Sequence, residues 1–158
     1  LILLQQFDVR PFEILTMTIE WIFIDKLFAA EAYTRNVEKE HRAFEASKHI
    51  YDLAVIASEP RIVSLLQDKE QLAKLLKIRL TEEQNRLDGI PGVLPKDFIF
   101  FEKACTNTHI TKAYTTMQNQ YVFIPDDRIS LDDAQYQLHC LQDQLNLNPA
   151  WSLTTIRE

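Results

Sequence analysis

Glycine is nearly missing from this chain: of 158 residues, Gly89 and Gly92 are the two there are. A phosphate-cradling loop of the Gly-rich kind needs several glycines so that backbone N–H groups can approach the ligand, and this pair cannot make one. Cysteine is as scarce. Cys105 and Cys140 stand far apart with no Cys or His at ligand spacing, so neither a zinc site nor a disulfide framework is indicated and a reducing cytoplasm is the expected setting. Basic charge is in deficit, with 17 Lys and Arg against 23 Asp and Glu and a net charge of −6. Phosphate backbones and anionic lipids are held by Lys and Arg, which excludes a generic binding surface for either but not a local basic patch.

Long apolar runs are absent too. Residues 1–4 are apolar but are cut off by Gln5, Gln6, Asp8 and Arg10, far short of the roughly 20 residues that span a bilayer and without the basic start of a signal peptide. No membrane partner is expected. Nor is there a Ser/His/Asp, His-Glu-x-x-His or Asp-x-Asp pattern. The acidic pairs at 126–127 and 132–133 are adjacent rather than alternating, and adjacent side chains diverge on a helix or a strand. No metal site and no complete active site can be recognised within these residues.

What the chain has is helix-forming material: 46% of it is hydrophobic, Leu, Ala, Glu, Gln and Lys are common, and few positions require positive φ. At this length about 70% of the unfolded surface can be buried in one domain. We expect a mainly α fold, a bundle of about five helices over 1–158 as a single domain, with a short extended or β edge at 1–17. That edge is rich in Ile, Leu, Phe and Val around Pro11, and it should join a sheet supplied elsewhere. Without an initiating Met, the chain reads as a segment of a larger protein.

Thr18 offers an N-cap oxygen, and Trp21, Ile24, Leu27, Phe28 and Glu31 follow at three- and four-residue steps, which predicts a helix over 19–35. The charged stretch 36–46 predicts a loop, with Ser47 capping a second helix that carries Ile50, Leu53, Ala54 and Ala57 on one face. Pro60 ends that helix and can start the next. Its apolar run, Ile62 to Leu66 and then Leu72 to Leu80, predicts two helices or one kinked helix. Asp88-Gly89 and Pro91-Gly92 mark a turn that closes the first part of the chain, 18–88, from a second, 93–158. There, Ile110, Ala113, Tyr114, Met117 and Tyr121 step at helical spacing, Pro125 breaks the run, and Ser130 with Asp133 forms the start signal of a last helix carrying Ala134, Leu138, Leu141 and Leu145. The aromatic run 98–101 reads as core.

Two clusters could carry chemistry. Lys26 lies among Phe23, Ile24, Leu27 and Phe28. It is either a surface lysine whose stem covers apolar neighbours or a point charge that reaches a phosphate. His49 and Asp52 are three apart and share a helix face beside Tyr51. They are either a weak surface pair or a group that orients something. Glu38, Glu40 and His41 read as a solvated charged loop, and Cys105 as a buried or half-buried free thiol.

Taken together, Ile24-Asp25-Lys26-Leu27-Phe28-Ala29 and Ser47-Lys48-His49-Ile50-Tyr51-Asp52-Leu53 resemble the paired signature of the nucleotidyltransferase AbiE-type (AbiEii/AbiGii) toxin family. In that family a helix with an Asp/Glu-Lys-Leu core precedes a second helix ending in Tyr-Asp-Leu. Tyr114, Met117, Tyr121, the Pro125 break and the Leu-rich last helix resemble the family's closing segment, so the likeness covers most of the chain. It implies the C-terminal helical part of a polymerase-β-like nucleotidyltransferase toxin of a toxin–antitoxin or abortive phage-infection system. The sheet, with Gly-Ser and Asp-x-Asp motifs that bind magnesium and a nucleoside triphosphate, would lie in an N-terminal lobe. On that resemblance this chain alone is expected to be inactive, Lys26 would contact the triphosphate, and Asp52 would orient Lys26 or the substrate. One departure stands out: many relatives carry an acid three positions before the Tyr-Asp-Leu aspartate, where this chain has His49. If that earlier acid is the functional one, Asp52 is structural, and His49, Glu31 and Arg35 are the alternative substrate-binding residues. The implied partners are an RNA or protein acceptor and a cognate antitoxin.

A second reading needs no catalysis. The acidic surface and the Leu-rich arm between Pro60 and Leu87 could form a helical interaction module for a partner protein or a second copy of the chain. The two readings coexist if the partner is an antitoxin.

Overall fold

Thr18 starts the first helix as expected: its hydroxyl oxygen accepts the Trp21 N–H at 3.3 Å, satisfying one of the amides that a helix start leaves unpaired. The computed structural model describes residues 15–39 and 41–152. Among them are seven α-helices: α1 Ile19–Thr34, α2 Arg42–Ile56, α3 Pro60–Gln67, α4 Lys69–Glu83, α5 Phe100–Thr106, α6 Thr108–Tyr121 and α7 Leu131–Leu147. Short 3-10 turns at Pro95–Asp97, Pro125–Asp127 and Pro149–Ser152 link or follow them. Most of the extended edge expected at 1–17 lies outside the described residues. Residues 15–18 form no strand.

Helix α1 is the hub. Phe23, Ile24, Leu27, Phe28 and Ala30 are all fully buried, so this helix is apolar on more than one face, which suits an element surrounded by others. It packs on α2 along its length and touches α3, α4 and α5 on other sides, while α2 carries α6 and α7 on its far face. The aromatic run forms core as expected. Phe98 meets Phe28 edge-on at 5.1 Å and Trp151 at 5.5 Å, closing the Pro149–Ser152 turn onto the centre of the molecule.

The structure departs from the sequence reading in three places. The helix count is seven rather than about five: the Leu-rich arm is two helices, one of the two forms expected, and the aromatic run opens a further helix, α5, that was not expected. Asp68 is extended (φ −93°, ψ 96°) and its carboxylate accepts the Glu70 and Gln71 amides, ending α3 and starting α4. Asn107 does the same between α5 and α6, accepting from His109 and Ile110. Helix α2 begins at Arg42 rather than at Ser47, after His41 in the left-handed region (φ 63°). Ser47 is buried inside the helix, and its hydroxyl donates to the Ala43 carbonyl at 2.8 Å. Cys105 is an exposed free thiol rather than a buried one. The expected turn is present, with Gly89 so close to Glu83 that an added Cβ would sit 2.8 Å from its carbonyl oxygen.

Candidate functional site

Neighbours on a helix are turned by about 100°, so Asp25 and Lys26 face different partners. Asp25 looks toward α4 and the turn that follows it: its Oδ1 accepts from Arg86 of that turn at 3.0 Å and lies 3.3 Å from buried Arg79 of α4. Arg79 pairs in turn with buried Glu83. Lys26 looks toward α2, and its Nζ donates to Asp52 Oδ2 at 2.5 Å. The two side chains keep 24% and 16% of their surface exposed, so the pair sits at the rim of the α1–α2 seam, ordered by packing yet open to solvent. Lys26 and Asp52 are therefore brought together.

His49 lies one turn before Asp52, but it forms no ion pair with it. Its ring stacks on Tyr33 of α1 at 5.4 Å, and Arg42 lies 4.8 Å over the other partner of that stack, the Tyr33 ring. Nδ1 of His49 is buried without a hydrogen-bond partner. Burial, helped by the positive charge of Lys26, pushes the imidazole down to about 4, with Asp52 and Glu45 pulling more weakly the other way. His49 is thus a neutral, packed ring beside Lys26.

Glu31 and Arg35 sit apart from that pair and serve α5. The Glu31 side chain is fully buried, and its Oε2 accepts the Ile99 and Phe100 amides at 2.8 and 3.0 Å, where α5 begins. Its Oε1 accepts from Arg35 Nε at 2.7 Å, and Arg35 Nη2 donates to the Asp97 carbonyl at 3.1 Å. Burial pushes the Glu31 carboxyl above its ordinary range against the pull of the Phe100 amide and Arg35. A buried carboxylate on a helix start satisfies amides that have no partner within their own helix.

Sequence reasoning put Tyr121 in a helical stripe of the closing segment but not at the site. It is the last residue of α6, and its hydroxyl donates to Asp52 at 3.3 Å from Oδ1 and 3.4 Å from Oδ2. Tyr51 meets its ring edge-on at 6.3 Å, and Lys48, which pairs with Glu45 at 2.9 Å, lies 5.3 Å over its face. The signal available was a place in the stripe Ile110, Tyr114, Met117, Tyr121. Its first three members are buried, but Tyr121 is 37% exposed.

Among the described residues no three His, Cys, Asp or Glu side chains converge to hold a metal ion, and Asp52, the carboxylate on Lys26, is committed to that ammonium. These residues do not fit a magnesium centre. Among them, too, no helix is long and apolar enough to cross a membrane.

Against models of known families, residues 2–141 match the one described as nucleotidyl transferase AbiEii toxin, type IV TA system. The chain belongs to the AbiEii family. No curated protein and no solved structure matches it. Membership makes the AbiEii chain one of a nucleotidyl transferase type, in the setting of a toxin–antitoxin system that implies a cognate antitoxin. The matched span contains α1, α2 and α6, and with them Lys26, Asp52 and Tyr121.

Proposed function

We propose that Lys26 is the phosphate-facing cation of a nucleotidyl transfer site, with Asp52 orienting it, and that the helical wall built by α1 and α2 helps to bind a nucleoside triphosphate and its acceptor. The observation that supports this is the 2.5 Å contact between Lys26 Nζ and Asp52 Oδ2 across two helices at a solvent-reachable rim. An ammonium has three N–H donors, and Asp52 engages one of them, holding the cation at the rim until phosphate oxygens draw it away. A cation fixed before the reaction offsets charge on the transferred group without reorganising during in-line displacement. The acceptor is RNA or protein. By the family resemblance, Gly-Ser and Asp-x-Asp motifs of an N-terminal lobe would hold magnesium, which would supply further charge neutralisation.

The test is to incubate full-length protein with magnesium, each of the four α-labelled nucleoside triphosphates in turn, and total cellular RNA or protein. The unaltered protein should transfer label to a discrete acceptor, and Lys26→Ala should lose at least about 100-fold of that rate with its helical circular dichroism unchanged. Unaltered labelling by the variant would sink the role of Lys26. The interaction-module reading is less well supported. Leu65, Leu66, Leu72, Leu76 and Leu80 of the arm are buried within the chain, which leaves Ile78 and Leu87 as its exposed large hydrophobics.

A further inference from the structure

We propose that Tyr121 is a positioning residue that takes over Asp52 when Lys26 turns to a phosphate, an inference that rests on the role given to Lys26 above. In the structure Asp52 Oδ2 holds the Lys26 ammonium at 2.5 Å, while the Tyr121 hydroxyl stands at 3.3 and 3.4 Å from the two carboxylate oxygens. Both contacts are long, and the hydroxyl can close to one short bond with Oδ2 once the ammonium has left that oxygen. The donor is in reserve.

The need for such a donor follows from burial. The Asp52 side chain is 16% exposed, so a Lys26 that leaves it for a ligand strands a carboxylate with little water around it, which opposes ligand binding. A hydroxyl already within reach lowers that cost. It is also neutral, so it satisfies Asp52 without adding a second cation to compete for the phosphate.

The surroundings hold the ring where this works. Tyr51 packs edge-on against Tyr121 at 6.3 Å and is itself tied down, its hydroxyl donating to the Asp127 carbonyl at 2.8 Å. The Lys48 ammonium covers the ring face at 5.3 Å. Burial and the negative charge of Asp52 keep the Tyr121 phenol above its ordinary value, so it remains a proton donor throughout the neutral range. By this arrangement the closing segment of the chain, through α6, sets how readily the α1–α2 rim accepts an anion.

The experiment is a titration of the full chain with inorganic tripolyphosphate, followed by nuclear magnetic resonance or calorimetry, using Tyr121→Phe, Asp52→Asn, their double variant and Lys26→Met. Without the hydroxyl, Asp52 retains Lys26 more tightly, and Tyr121→Phe should raise the dissociation constant about tenfold. The thermal midpoint should stay within about 2 °C of the unaltered chain. In the Asp52→Asn background the same substitution should change the constant by less than about twofold, because the path runs through the carboxylate. Unaltered affinity in Tyr121→Phe, or an equal loss in both backgrounds, overturns the role of Tyr121 and leaves that of Lys26 standing. Unaltered affinity in Lys26→Met, or no saturable binding by the unaltered chain, overturns both.

Discussion

Lys26 and Asp52 are 26 residues apart in the chain and 2.5 Å apart in space, so their ion pair exists only when α1 and α2 are docked. Because the pair is partly buried, its strength and its usefulness can be separated. Lys26→Met keeps the apolar stem and leaves Asp52 with the Tyr121 hydroxyl, and should cost about 1 kcal/mol in urea unfolding. The double variant Lys26→Met with Asp52→Leu removes both charges and should return to within about 0.5 kcal/mol of the unaltered protein, yet transfer no label. A double variant that is as unstable as the sum of its parts would show that the pair is there for stability.

Glu31 is the residue whose loss should hurt the fold most directly. Glu31→Ala strands the Ile99 and Phe100 amides and takes the carboxylate partner from the exposed Arg35 guanidinium, for a loss on the order of 3 kcal/mol. Glu31→Gln keeps an acceptor oxygen for the amides and should cost less than half of that. Amide hydrogen exchange at Ile99 and Phe100 is the local readout, and it should quicken in the Ala variant before α1 is affected. Uniform acceleration along α1 would mean that Glu31 holds the whole seam rather than the start of α5.

His49 gives the protein an acid-sensitive term. Its folded value of about 4 lies below the ordinary 6.5, so unfolding takes up a proton between the two. The stability tied to the neutral ring is present above about pH 6.5 and is lost as pH falls toward 4. By pH 5 the loss should reach about 2 kcal/mol relative to pH 7. His49→Phe keeps the stack on Tyr33 and should lack this part of the pH dependence. Parallel slopes for the two proteins between pH 7 and pH 5 in urea unfolding would refute the assignment.

Ser47 distinguishes a helix cap from a helix interior. At an N-cap, Ser→Ala costs about 1 kcal/mol and Ser→Gly only a few tenths. Inside a helix the order reverses, since Gly costs about 1 kcal/mol relative to Ala. Ser47 is buried in α2 with its hydroxyl on the Ala43 carbonyl, so Ser47→Ala should fall within about 0.5 kcal/mol of the unaltered chain and Ser47→Gly should be the more damaging change. Thermal midpoints of the two variants decide between the orders.

What the sequence determined by itself was set by interactions closing within one helical turn. Thr18 and Ser130 cap α1 and α7 as their side chains demand, Pro60 opens α3, and Ala134, Leu138, Leu141 and Leu145 bury the expected face of α7. The two stretches around Lys26 and Asp52 that carried the resemblance were legible for the same reason, as short local motifs. Asp68 and Asn107 were local signals as well, but the first left two helices or one kinked helix open and the second preceded a stripe read only from Ile110 onward. Only the tertiary structure could decide the rest. It takes Glu31 to amides 68 and 69 residues away, turns His49 onto Tyr33, and hangs the Tyr121 hydroxyl over Asp52 from 69 residues further along the chain. Helical spacing states which face a side chain occupies. What that face meets is decided when the helices pack.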